Sequence, residues 1–110
     1  MTRRFKLLVL SDAAEGGDEA FNAWYDEIHL GDVLKLQDYV AAQRFRKRAV
    51  AAADHAWEYG AIYDVETDDP DAAVARLLEA SGTERMPLSD TLLPNFYGVL
   101  YEEMGSVRHG

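Results

Sequence analysis

Residues 5–10, Phe-Lys-Leu-Leu-Val-Leu, form a near-continuous apolar run between Arg3-Arg4 and the polar segment Ser-Asp-Ala-Ala-Glu-Gly-Gly-Asp. That is the pattern of a strand covered on both faces. Asp18 is placed to cap a helix, and Phe21, Trp24, Tyr25 and Ile28 then recur at i, i+3, i+4 and i+7. This stripe predicts a helix over 18–29 whose apolar side, Ile28 included, faces a core. Gly31 permits a break before a further turn at 33–37. From Tyr39 to Arg46 the period drops to two, with Tyr39, Ala41, Gln43 and Phe45 on one face and Val40, Ala42, Arg44 and Arg46 on the other. Trp57, Tyr59, Ala61, Tyr63 and Val65 alternate against Glu58, Gly60, Ile62 and Asp64, predicting another strand. The alanine-rich stretch 49–56 between them is short and carries no apolar stripe, so it reads as a connection. Pro70 opens a second helix whose apolar face is Ala73, Val74, Leu77 and Leu78, ending near Gly82. Residues 83–93, with Pro87 inside, read as a loop, and 95–102 as the last strand.

The order β-α-β-β-α-β predicts an α+β, ferredoxin-like fold: one domain over 1–110, with an antiparallel four-stranded sheet and both helices on one face. The open face of such a sheet should be polar. Here the first and last strands are apolar or aromatic on both sides, with Phe96, Tyr97, Val99, Leu100 and Tyr101 in the last. The same face of a second copy is the simplest cover, which predicts an isologous homodimer.

Composition narrows the function classes. Eleven Lys plus Arg against 20 Asp plus Glu give a net charge of −9. Residues 51–110 carry all of that imbalance, because residues 1–50 hold 8 of each sign. Binding a phosphate backbone needs clustered positive charge, so no nucleic-acid partner is expected. No apolar run approaches the roughly 18–20 residues that span a bilayer, and Asp12 follows the first apolar run without a cleavage context. No membrane partner and no leader are expected, and the location expected is cytoplasmic. With 0 cysteines there is no disulfide frame and no thiol nucleophile. Ser11, Ser81, Ser89 and Ser106 carry no nucleophile signature. Gly16-Gly17 lies between Glu15 and Asp18, acidic where a phosphate would sit, so no nucleotide is expected.

The stretch from Phe21 to Phe45 resembles the signature of the dimeric α/β-barrel superfamily, in particular its EthD-like members. In these an aromatic pair on the first helix is followed by a His at the helix end, an acidic or Pro-containing turn, and a strand with a polar or basic residue. Trp24, Tyr25, His29, Asp32 and Gln43 or Arg44 occupy those places. Gln37-Asp38-Tyr39 departs from the pattern, standing where a Pro-Gly turn is common. The resemblance implies a homodimer whose two sheets close into a barrel, with a pocket in each subunit between sheet and helices. The superfamily includes cofactor-free monooxygenases, polyketide cyclases, muconolactone isomerases, haem-binding enzymes and proteins with no known activity, so it does not choose a reaction.

Among the residues themselves, His29 is the most informative. At the edge of the helical stripe it can face a pocket mouth, where an imidazole oriented by Asp32 or Asp26 serves as general acid or base. Its other reading is a His held at a helix C-terminus by the dipole. Tyr59 and Tyr63 share one side of their strand, as do Tyr97 and Tyr101, so each pair can supply hydroxyls to a ligand or pack a dimer. Gln43 and Arg44 lie on opposite faces, so one of them points toward the helices. The run Arg44-Phe45-Arg46-Lys47-Arg48 reads as solvated or paired with the acidic second half. Asn95 is either a pocket hydrogen-bonding group or a turn cap. His55 reads as solvated, and His109 lies too near the end to matter.

The expected site is therefore His29, Asp32 and Tyr25 for catalysis, with Trp24, Gln43, Tyr59, Tyr63, Asn95 and Tyr97 for substrate binding. No metal site is expected, because His29, Asp26 and Asp32 match no ligand spacing, and no cofactor is expected. The first functional reading is a small cofactor-independent isomerase, cyclase, dehydratase or lyase acting on a hydrophobic aromatic or cyclic carbonyl compound, with cofactor-free oxygenation as a variant. The alternative is a non-catalytic dimer that binds a small molecule or accompanies a larger enzyme. Haem binding through His29 is a third reading.

Overall fold

The computed structural model describes residues 2–48, 50 and 57–110. Its elements are β1 (Arg3–Ser11), α1 (Asp18–Trp24), a π-helical segment (Tyr25–His29), α2 (Leu30–Leu34), β2 (Tyr39–Arg46), β3 (Tyr59–Thr67), α3 (Pro70–Ala80) and β4 (Tyr97–Glu102). The strands pair antiparallel in the order β2-β3-β1-β4, an α+β arrangement consistent with a ferredoxin-like fold. Most of the alanine-rich connection, His55 included, lies outside the described residues. Among those described, no helix is long and apolar enough to cross a membrane.

β3 alternates in burial along its whole length, and β1 does so from Phe5 onward except at the half-buried Val9. Phe5, Leu7 and Ser11 of β1, and Tyr59, Ala61, Tyr63, Val65 and Thr67 of β3, are buried on the inner face. They pack against Phe21, Trp24, Tyr25 and Val33 from the first helical run and Ala73 from α3. α3 begins where its sequence directs: Asp69 accepts a hydrogen bond from the Ala72 N–H at 3.1 Å, and Pro70 sits in the first turn. The outer face carries Leu8, Leu10, Ile62, Phe45, Tyr97, Val99 and Tyr101, the last 58% exposed.

Three local features depart from the sequence pattern. The first helix is not α-helical throughout: the Leu30 N–H reaches the Tyr25 carbonyl, five residues back. The turn therefore holds one residue more than an α-turn. The position facing the sheet passes from Ile28, which is 46% exposed, to His29, which is 9% exposed. Second, β2 carries an irregularity between Tyr39 and Ala41. Tyr39 consequently shares the inner face with Ala42, Arg44 and Arg46, and Gln43 faces outward. Asp38, at the corner before it, takes a φ of 79°, a conformation that Asn and Asp tolerate better than most side chains. Third, Trp57 does not begin β3. It has a φ of 72°, and the Asp12 carboxylate accepts the N–H groups of Trp57 and Glu58 at 3.2 and 2.7 Å, so the strand starts at Tyr59.

Candidate functional site

Between the inner face of the sheet and the helices lies a cavity of about 140 Å³. Val9, Ser11 and Tyr63 form its floor, Trp24, Tyr25, His29 and Val33 one wall, and Leu77, Leu78 and Ser81 the other. Leu88, Leu92 and Phe96 from the segment before β4 complete the lining. Met86 in that segment is fully buried, and the Trp24 Nε1–H donates to the Pro87 carbonyl at 3.1 Å, fixing the indole against it.

His29 enters this cavity through the π-helical turn. Its ring stacks on Trp24 at 4.6 Å and 25°, and meets Tyr25 edge-on at 5.0 Å and 88°. Aromatic faces, rather than a carboxylate, set its orientation. Its Nδ1 is buried without a hydrogen-bond partner, and so is Oδ2 of Asp32. Asp32 acts on the ring only through its charge, while its other oxygen lies 3.8 Å from the Lys35 ammonium. Burial pushes the imidazole pKa down from 6.5 to about 4, against an upward pull from Asp32. At neutral pH His29 is therefore uncharged, the form that can accept a proton; burial weakens it as a base and removes the general-acid role expected of an ordinary imidazole. Asp26, the other candidate to orient it, is bound instead to Arg44 at 3.1 Å.

Tyr63 and Tyr25 join hydroxyls at 3.4 Å. Burial raises the pKa of both phenols, so both are protonated at neutral pH; Tyr63 donates to Tyr25, which leaves the Tyr25 proton free for a ligand. Arg44 reaches inward, as the Gln43/Arg44 alternative allowed, and its guanidinium lies over the Tyr25 ring at 4.4 Å. With Asp26 on its Nη1, it is neither solvated nor paired with the acidic second half.

The structure thus brings Trp24, Tyr25, His29 and Tyr63 to one cavity. Asp32 stands close enough to bias His29 but does not line the space. Tyr59 shares the inner face, but its hydroxyl is committed to Asp18 at 2.6 Å and to the Asn22 amide at 3.3 Å. Gln43 lies on the opposite face because of the β2 irregularity. Tyr97 pairs with Leu10 on that outer face and packs on Trp57 at 5.6 Å. Asn95 is exposed, its carbonyl accepting the Trp57 Nε1–H at 2.7 Å. The reading from sequence missed Ser11, Ser81, Leu88 and Leu92. Ser11 was within reach, since continuing the β1 alternation by one residue beyond Leu10 places it beside Val9. Leu88 and Leu92 sit in a segment without periodicity, where no sequence signal marks a wall.

Among the described residues, no three His, Asp or Glu side chains gather as metal ligands. Haem does not fit: the volume matches a single small ring, and a porphyrin carries four pyrrole rings.

No family model matches the chain, and no curated protein matches it. Among solved structures it is similar to a "putative monooxygenase" from Shewanella loihica PV-4, with a TM-score of 0.62 and 16% identity over 96% of this chain and 99% of that one. At that identity the likeness is one of fold.

Proposed function

We propose that this chain is a small cofactor-independent enzyme that encloses a hydrophobic cyclic carbonyl compound between sheet and helices, with His29 as the base that takes a proton from it. The observation that carries this reading is a neutral imidazole whose buried Nδ1 has no partner among the described residues, in a cavity whose walls are mostly apolar. In the step proposed, a C–H bond beside the ligand's carbonyl breaks, its electron pair forms an enolate, and the proton passes to His29. The Tyr25 hydroxyl, which accepts from Tyr63 and keeps its own proton free, is the donor available for the enolate oxygen. A pKa of about 4 describes the empty cavity. An enolate beside the ring favours the imidazolium, adding to the pull of Asp32 and strengthening the base when it is needed.

Returning the proton to a different carbon gives isomerisation, and expulsion of a leaving group gives lyase or dehydratase chemistry. The third course, cofactor-free oxygenation in which the carbanion reacts with dioxygen, is supported by the likeness in fold to the Shewanella "putative monooxygenase".

The test is solvent deuterium exchange into cyclohexanone, followed by NMR. The wild type is expected to accelerate exchange, and His29→Ala to lose about 100-fold of that acceleration while still binding the ketone. Equal exchange by the variant overturns the role of His29. No acceleration by the wild type favours the non-catalytic binding dimer.

We also infer that a second copy of the chain covers the outer face, as in a dimeric α/β barrel. Supporting this are the exposed Tyr97, Tyr101 and Phe45, and a hollow of about 360 Å³ walled by Leu8, Leu10, Trp57 and Ile62. Light scattering at micromolar concentration is expected to give twice the 12.3 kDa chain mass, with Tyr101→Arg shifting it toward one. A wild-type mass of one chain overturns the dimer.

A further inference from the structure

We propose that the cavity selects a single six-membered ring bearing an oxygen substituent, and that Ser11 is the residue that anchors this oxygen. The inference rests on the reading of the cavity as a ligand site, and adds to it a size limit and a second polar contact.

The size limit comes from volume. An apolar protein cavity of about 150 Å³ takes one benzene ring, and the space here is about 140 Å³. Two fused rings exceed this buried space, and the second would lie at the mouth among the exposed Leu78, Leu88 and Phe96.

The contact comes from an unexplained hydroxyl. Ser11 ends β1 in register with Tyr59, on the inner face it shares with Leu7 and Val9, and it is 1% exposed. Its side chain lines the cavity, yet its Oγ is buried with no partner. Buried hydroxyls are nearly always paired, because an unpaired one forfeits its bonds to water and gains nothing in return. The Ser81 hydroxyl, at the same cavity, shows the ordinary solution by bonding to the Leu77 carbonyl at 2.9 Å. No described residue does this for Ser11.

A ring oxygen supplies what is missing. A hydroxyl both donates and accepts, so Ser11 serves a ketone as donor and a phenol as acceptor. The unpaired Nδ1 of His29 is the second polar site at the same cavity. The ligand class is therefore a monocyclic phenol or a cyclic ketone, and not a fused polycycle.

Binding of phenol, toluene and 1-naphthol to the wild type and to Ser11→Ala, followed by NMR shifts of cavity residues, tests both parts. Phenol and toluene have nearly the same shape, so toluene reports whether the variant keeps its fold and cavity. Ser11→Ala is expected to weaken phenol about five- to tenfold and to leave toluene unchanged. In the wild type, 1-naphthol is expected to bind at least tenfold more weakly than phenol, although it is the more hydrophobic of the two. Equal phenol affinity in the variant overturns the role of Ser11, and 1-naphthol binding as tightly as phenol overturns the single-ring limit. Either failure leaves the His29-dependent exchange standing as a separate result. If neither phenol nor toluene shifts the cavity residues of the wild type, the site and the proposed reaction fall together.

Discussion

At the scale of single residues, the site turns on what burial does to His29. An exposed imidazole titrates near 6.5, and this one is pushed to about 4. The consequence for stability has a definite sign. Above pH 6.5 the folded and unfolded chains both carry a neutral His29, and the group contributes no pH dependence. As the pH falls toward 4, the unfolded chain binds a proton that the folded chain refuses, so stability is lost across that window and the loss is complete below it. The shift corresponds to a loss on the order of 3 kcal/mol. His29→Gln keeps a polar side chain that does not titrate, which separates this effect from the carboxylates that also protonate there. Urea unfolding between pH 7 and pH 4 is expected to show the wild type losing stability relative to His29→Gln. Parallel curves would mean that His29 is solvated. Ser11 at the cavity and Asp32 beside His29 also carry buried oxygens without a hydrogen-bond partner among the described residues.

At the scale of elements, the alternation of β1 and β3 and the capping of α3 were legible in the chain, because each follows from a period or a terminal residue that local chemistry enforces. What the chain did not reveal are two one-residue shifts. The pattern Phe21, Trp24, Tyr25, Ile28 is a good α-helical stripe, and only the i→i+5 bond of the π turn moves the inward position to His29. Tertiary packing decides this: the turn seats the imidazole between Trp24 and Tyr25 and leaves Ile28 outside. In β2 the irregularity after Tyr39 exchanges faces, which sends Gln43 outward and Arg44 inward over the Tyr25 ring. A period of two carries no mark of a bulge, so the candidate polar residue on that strand was assigned to the wrong face. The aromatic wall of the site was legible as a helical stripe. The segment holding Leu88 and Leu92 was not, because loops follow no period.

At the scale of the whole molecule, the two faces of the sheet do different work. The inner face holds the cavity. On the outer face Lys6 pairs with Asp64 and Glu103, and at the same end of β1, on the inner-face side, Arg3 pairs with Glu102, so basic residues of β1 meet acidic residues from the second half of the chain. These pairs are partly exposed and contribute little to stability. They cluster toward one end of the strands, and Leu8, Leu10, Ile62, Val99 and Tyr101 form an apolar surface beside them. A second copy seated there would have an apolar centre with a charged rim. The acidic residues behind the net charge of −9 lie outside the cavity lining, so a negative charge that develops on a ligand there meets no carboxylate in the walls.

The central claim is that His29 stands neutral in a cavity and meets a ligand with its free nitrogen. The most direct measurement is an NMR titration of the His29 ring, with its nitrogens observed, in the absence and presence of phenol. The imidazole is expected to stay neutral down to about pH 4 in the free protein and to show a shifted Nδ1 resonance when phenol is added. A ring that titrates near pH 6.5 and ignores phenol would contradict the account.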